Sequence, residues 1–294
     1  MPVSISIDVE ELGRLRSYIL AHDLILAHDL KRVSTTNQYE LLRIKDGEID
    51  IVVYKTGKLV HNNSAASNGI VNFILTRERS FDYLLGSDEV GKGEWYGPLV
   101  TTAVALKPDN VIRFREIGVR DSKILNKKEL EKLANEILAS KIVHKSVILM
   151  PEVYNERYRE FAKEGKSLND FLAWSHATAI KDVLAGVSTG SPKIKIIIDK
   201  FDVEKTDLRL ERAKIKQPNV EIIQSSKGDT EIPVSVASIV AKHEFEERVD
   251  QLNKQFEVDL RNSLPEEIDK KILLLVSKTH FKNISKLLSG VDDA

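Results

Sequence analysis

Cysteine is missing from all 294 residues, which excludes a disulfide framework and any thiolate metal centre. A metal, if one binds, must sit on oxygen or on imidazole nitrogen. Long apolar runs are missing as well, since none reaches the ~18 residues of a membrane helix. The opening MPVSISIDVEEL lacks the basic and apolar regions of a secretion signal, so a cytoplasmic protein without membrane association is the expectation. Neither sign of charge dominates: 44 Lys and Arg stand against 45 Asp and Glu, for a net charge of −1. That excludes a protein that is basic throughout, yet it leaves room for a local basic groove that binds nucleic acid. What the chain does have is a 42% hydrophobic complement, enough for a sizeable core, and the length for one large and one smaller domain.

Residues 3–8 alternate as a strand does, and a helix is expected from about 9 to 24. Short strands follow at 39–44, 49–54 and 58–61, separated by turns at Asp46-Gly47 and Thr56-Gly57. The polar stretch 62–69 reads as a loop before a short helix ending near 78. These elements make a complete small α+β unit, placing a domain at 1–78 and a second one at 81–294. In the second, strands are expected at 83–88, 97–106, 145–150, 193–199 and 220–224. Helices are expected at 126–140, 168–184 and 232–256, the last with Pro233 in its first turn. The mixture predicts an α/β fold, a mixed sheet with helices on its faces.

Two of these strands terminate in acids: Asp88-Glu89 after YLLGS, and Asp199 after KIKIII. Clefts form at strand ends of α/β sheets. Asp229 lies between a strand and a long helix, so the acids have a route to one pocket. A cluster of carboxylates repels itself, and the usual resolution is a hard divalent cation, Mg2+ or Mn2+. Two such ions ~3.5–4 Å apart suit in-line phosphodiester cleavage, with a water attacking phosphorus and a 3′ oxygen leaving. Taken singly, each acid is better explained as a solvated turn residue. Asp88-Glu89 stands out because Gly91-Lys92-Gly93 follows, a turn whose backbone N–H groups can approach a phosphate or sugar while Lys92 adds charge.

Residues 86–98, GSDEVGKGEWYGP, resemble the signature that opens the catalytic domain of the type 2 ribonucleases H, the HII and HIII group. The likeness runs through almost all of 81–285: Asp121-Ser122-Lys123, then Pro151 to Tyr154, Leu168-Asn169 with residues 173–177, Ile198-Asp199, and Lys227-Gly228-Asp229 followed by SVASIVAK at 235–242. The resemblance implies a ribonuclease H-like mixed sheet, and Asp88, Glu89, Asp199 and Asp229 as catalytic residues holding two ions, Mg2+ or Mn2+. It also implies that Gly91, Lys92 and Gly93 meet ribose 2′-hydroxyls, the mark that separates RNA from DNA, and that Lys123 touches a phosphate, although Lys123 reads equally well as a partner of Asp121 or a solvated residue. The substrate would be an RNA/DNA hybrid duplex, with the RNA strand cut to leave 3′-hydroxyl and 5′-phosphate ends. No protein partner is implied.

Residues 1–78 resemble the TATA-binding-protein-like domain carried by ribonuclease HIII, and residues 278–283, KTHFKN, resemble the HIII C-terminal segment. The fourth acid is Asp229, as in HII, where HIII usually has glutamate. The turn reads GKG, where HII usually has GRG and HIII often has threonine. The expected activity is of the HIII type; the alternatives are HII-like cleavage at a single embedded ribonucleotide, or a non-catalytic hybrid-binding protein of the same fold. His176 is expected to be a packing or surface residue, and His280 is left open.

Overall fold

The computed structural model describes residues 2–6, 32–75, 81–119, 122, 125–187, 190–225 and 231–289. The chain divides into two compact units, Met1–Ser80 and Phe81–Ala294. The helix expected at 9–24 lies outside the described residues, as do Asp121, Lys123 and the segment 226–230 with Lys227, Gly228 and Asp229.

In the first unit β1 (Val3–Ser6), β2 (Arg32–Val33), β3 (Glu40–Asp46), β4 (Ile49–Tyr54) and β5 (Lys58–His61) pair antiparallel in the order β1-β5-β4-β3-β2. Leu42 and Ile44, Ile51 and Val53, and Leu59 alternate onto one face and close a core with Ile70 and Val71 of α1 (Ala65–Leu75). This helix starts inside the polar stretch read as a loop. Ser64 is the reason: its hydroxyl accepts the Ser67 N–H at 3.1 Å, so a polar residue serves as the cap.

The second unit is a five-stranded sheet in the order β10-β9-β6-β7-β8. Its strands are β6 (Tyr83–Val90), β7 (Leu99–Leu106), β8 (Val143–Leu149), β9 (Ile194–Asp199) and β10 (Val220–Ser225). β10, β9 and β6 run parallel, while β7 and β8 continue the sheet antiparallel. Between the strands come α2 (Pro108–Glu116), α3 (Lys127–Ala139), α4 (Pro151–Lys163), α5 (Leu168–Val187) and α6 (Val203–Arg212), and after the last strand α7 (Ile232–Phe256), α8 (Lys270–Val276) and α9 (Lys282–Leu288). Asn126 caps α3 in a capping box with Glu129.

The sheet is covered on both faces, so its strands are apolar almost throughout. On one face Leu85, Ala103, Ala105, Ile196 and Ile198 pack against Ala177, Ile180 and Val183 of α5. On the other, Val104 and Leu106 pack against Val236, Ile239 and Val240 of α7. Gly86 allows that second contact to be close, because a Cβ there would lie 2.1 Å from the backbone carbon of Pro233. The first turn of α7 therefore rests directly on the strand that carries Asp88.

Candidate metal centre

Asp88 and Glu89 do not end β6, as the strand expected at 83–88 had implied; they lie within it. β6 continues to Val90 because β7 keeps pairing with it, Asp88 opposite Thr102 and Glu89 opposite Thr101. On the other side the parallel pairing with β9 stops at Ser87–Ile198. The two acids thus stand where one neighbour has ended and the other persists, which opens a notch beside an ordered backbone. Asp199 follows Ile198 as Asp88 follows Ser87, so strand alternation gives these two carboxylates the same face of the sheet. Glu89 points to the opposite face.

Each acid of the pair has its own support. His176 of α5 is fully buried and donates from Nε2 to Glu89 Oε2 at 3.0 Å, while its Nδ1 meets the buried Ser87 hydroxyl at 2.8 Å. A carboxylate only accepts, so Nε2 carries a proton; Nδ1 accepts from the Ser87 hydroxyl in the neutral ring and donates to it in the imidazolium. The ring stacks on Phe201 with centroids 5.3 Å apart, and Lys92 Nζ sits 3.8 Å from Glu89 Oε1. Burial alone would raise the Glu89 pKa, but the bond and charge of His176, aided by Lys92, outweigh it and hold the carboxyl below its usual range. Asp88 goes the other way. Burial and then the charge of Glu89 push it up to about 6, against a hydrogen bond from Ser238 of α7.

Carboxylates at the ends of neighbouring strands, Asp88 and Asp199 on one face and Glu89 beside them, are donors of the kind a hard divalent cation takes, and its charge would relieve the pressure on Asp88. Among the described residues no three carboxylate or imidazole groups converge as a metal cage. Asp229, expected as the fourth acid, is outside those residues. Ser122 is the described member of the 121–123 segment. Its hydroxyl meets that of Ser238 at 2.7 Å and its carbonyl accepts from Lys242 Nζ at 2.8 Å, so Ser122 is anchored to the helix that supports Asp88.

Gly91 opens the connection from β6 to β7 with φ +95°, and a Cβ there would lie 2.2 Å from the Pro98 carbonyl oxygen. Only glycine fits that position. Lys92, expected to serve substrate, is here turned to Glu89 and the Phe201 ring. His176 is indeed packed in the core, but it also holds Glu89, a role sequence reasoning missed. The available signal was a Ser175-His176 pair between the apolar residues Phe171, Leu172, Ala173 and Ala177, Ala179, Ile180 of one helix. His280 tilts against Tyr158 and Phe281, and burial followed by the nearby Lys278 charge lowers its pKa to about 4.

The family model described as Ribonuclease HII matches residues 85–286. Ribonuclease HIII of Chlamydia caviae is 30% identical over 277 residues, spanning 87% of this chain and 89% of its own length. Ribonuclease HIII of Oceanobacillus iheyensis is 28% identical over 310 residues, spanning 94% and 95%. Among solved structures, Bst-RNase HIII in complex with Mn2+ covers both chains fully with a TM-score of 0.64 at 21% identity. Aquifex aeolicus RNase H3 covers 95% of this chain and all of its own with a TM-score of 0.53 at 20% identity. These structures show the same fold. With a family match across most of its length and curated relatives named ribonuclease HIII along nearly all of it, the chain belongs to the type 2 ribonucleases H and is a ribonuclease H enzyme.

Proposed function

We propose that the chain hydrolyses the RNA strand of RNA/DNA hybrids as an endonuclease, leaving 3′-hydroxyl and 5′-phosphate ends. Asp88, Glu89, Asp199 and Asp229 are the residues that hold two divalent cations, Mg2+ or Mn2+. The observation that carries this reading is the Asp88–Glu89 pair near the end of the central strand β6, where pairing with β9 stops and Asp199 shares a face with Asp88, the Asp88 carboxyl being pushed up by burial and then by the charge of Glu89. When bound, the ions supply charge that offsets the phosphodiester and eases ionisation of the attacking water.

The chain's own residues do the rest. His176 keeps one Glu89 oxygen occupied and leaves the other directed elsewhere, and Ser238 orients Asp88 from the opposite face. Gly91, Lys92 and Gly93 present backbone groups to ribose 2′-hydroxyls, and Lys123 contacts a phosphate. The unit at 1–78 adds grip on the duplex. The Ser87 hydroxyl that meets His176 beside the acids is fully buried and so is not presented to a substrate; the reaction is direct attack by water without a covalent enzyme intermediate.

The substrate preference is of the HIII type, a run of ribonucleotides. A single embedded ribonucleotide is the second reading, favoured by aspartate rather than glutamate at position 229. Two labelled duplexes separate them, one with a continuous RNA strand and one with a single ribonucleotide in DNA. Cleavage of the first alone supports the HIII reading, and equal cleavage of both supports the second. Cleavage of neither in Mg2+ or Mn2+ overturns the proposal.

A further inference from the structure

The connection between β6 and β7 carries the Gly91-Lys92-Gly93 turn, and the described backbone bonds hold it together internally at one point, Glu94 N–H to the Gly91 carbonyl at 3.3 Å. Its shape is set from outside, by the segment between α8 and α9. Tyr96 bridges Ser277 in antiparallel fashion. The Gly97 N–H donates to the Val276 carbonyl at 2.9 Å, and the Lys278 N–H donates to the Trp95 carbonyl at 2.8 Å.

The Lys278 side chain completes the clamp. It is fully buried, and its Nζ donates to the carbonyls of Glu94 at 3.1 Å, Tyr96 at 3.3 Å and Gly97 at 2.7 Å. The Tyr154 ring faces the ammonium with its centroid 5.6 Å away. Asn155 grips the same segment from α4, donating to the Ser277 carbonyl and accepting the Thr279 N–H, both at 2.9 Å. A fully buried lysine is rare, and an apolar side chain would occupy the space with far less desolvation cost. Burial pulls the Lys278 pKa down to about 7, with the Glu94 carboxylate opposing. Three carbonyl acceptors match the three N–H donors that only the ammonium form possesses.

We infer that Lys278 is a positioning residue: by drawing together the carbonyls of Glu94, Tyr96 and Gly97 it fixes the turn that meets the RNA strand, and so sets hybrid affinity and the preference for hybrid over DNA rather than turnover. This rests on the reading of the turn as the ribose-binding element.

The absence of cysteine makes a direct test possible, because Lys278→Cys introduces the chain's sole thiol. Alkylation in denaturant with bromoethylamine, followed by refolding, restores an ammonium at near-lysine length; propyl iodide gives the same length without charge. Kd is measured for a labelled RNA/DNA hybrid and an all-DNA duplex in EDTA, and kcat and KM with Mg2+. The aminoethylated protein is expected to match wild type. The propylated one is expected to lose about tenfold in hybrid affinity, with kcat and DNA affinity nearly unchanged. Equal behaviour of the two adducts, or a loss confined to kcat, overturns the inference. Should the propylated protein not refold, Asn155→Ala decides: it loosens the same segment and is expected to raise KM about threefold with kcat held, whereas an unchanged KM overturns the inference. A wild-type protein without preference for hybrid over DNA would sink the ribonucleotide-binding role of the turn itself, a failure distinct from that of Lys278.

Discussion

Asp88 and Glu89, the pair proposed to hold the metal, are shifted in opposite directions by their surroundings. Glu89 is kept ionised by His176 and Lys92, while Asp88 holds its proton more tightly than a free aspartate, with a pKa moved from 3.8 to about 6. Because the folded state favours that proton, Asp88 costs no stability below its unfolded pKa, and the penalty grows until pH passes about 6. In EDTA at about pH 7.5, Asp88→Asn should therefore melt above wild type, and the difference should vanish towards pH 3.5. Mg2+ or Mn2+ should reverse the order by raising the wild-type Tm more. A wild-type Tm that rises with pH relative to the variant across this window would contradict the assignment.

His176→Ala leaves Glu89 without its buried donor. Loss of such a supporting partner typically costs about 10–100-fold in metal affinity or activity. The expected result is a higher cation requirement together with a lower kcat, the fold being checked by circular dichroism. This residue shows where sequence reading stops. Its position in a buried helix was legible, but its partner comes from another strand, 87 residues away, and no local pattern encodes that.

At the scale of elements, the strands that could be read were those whose burial matches their sequence. PKIKIIID announces β9 because both of its faces are covered. The acids at the end of β6 were legible as a strand end only in part, since the antiparallel partner that carries pairing on to Val90 is set by tertiary structure. α6 was missed. Only Thr206 and Leu210 of its ten residues are buried, so little apolar surface marks it, although its polar and apolar residues do segregate at helical spacing. The start of α1 was missed for a different reason, as a serine that caps a helix looks like any other loop residue until the bond is seen.

The contact between α7 and β6 makes a prediction of its own. Gly86→Ala places a methyl group on the Pro233 backbone, which must shift the helix carrying Ser238. Overpacking of this kind costs about 1–3 kcal/mol or more. The variant should melt lower and lose activity together, because Ser238 orients Asp88. A variant as stable and as active as wild type would show that the helix contact does not set the site.

At the scale of the whole molecule, the two units carry different expectations. Deleting residues 1–78 should raise KM for a long hybrid several-fold more than it lowers kcat, as steady-state kinetics would show. Hybrid binding should weaken as salt is added, through the loss of counterion release, even though the net charge is only −1. An unchanged KM would remove the first unit from substrate binding. The balance of charge over the whole chain gives no hint of such a surface; only the local motifs do.

The central claim is that the acids of β6 hold the metal that cuts RNA. It is tested most directly by incubating a hybrid with a labelled RNA strand with wild type and Asp88→Asn, each in Mg2+, Mn2+ or EDTA. The account predicts 3′-hydroxyl and 5′-phosphate products from wild type with either ion, none in EDTA, and none from the variant, which still binds the hybrid. Wild-type turnover by Asp88→Asn, or cleavage that persists in EDTA, would contradict it.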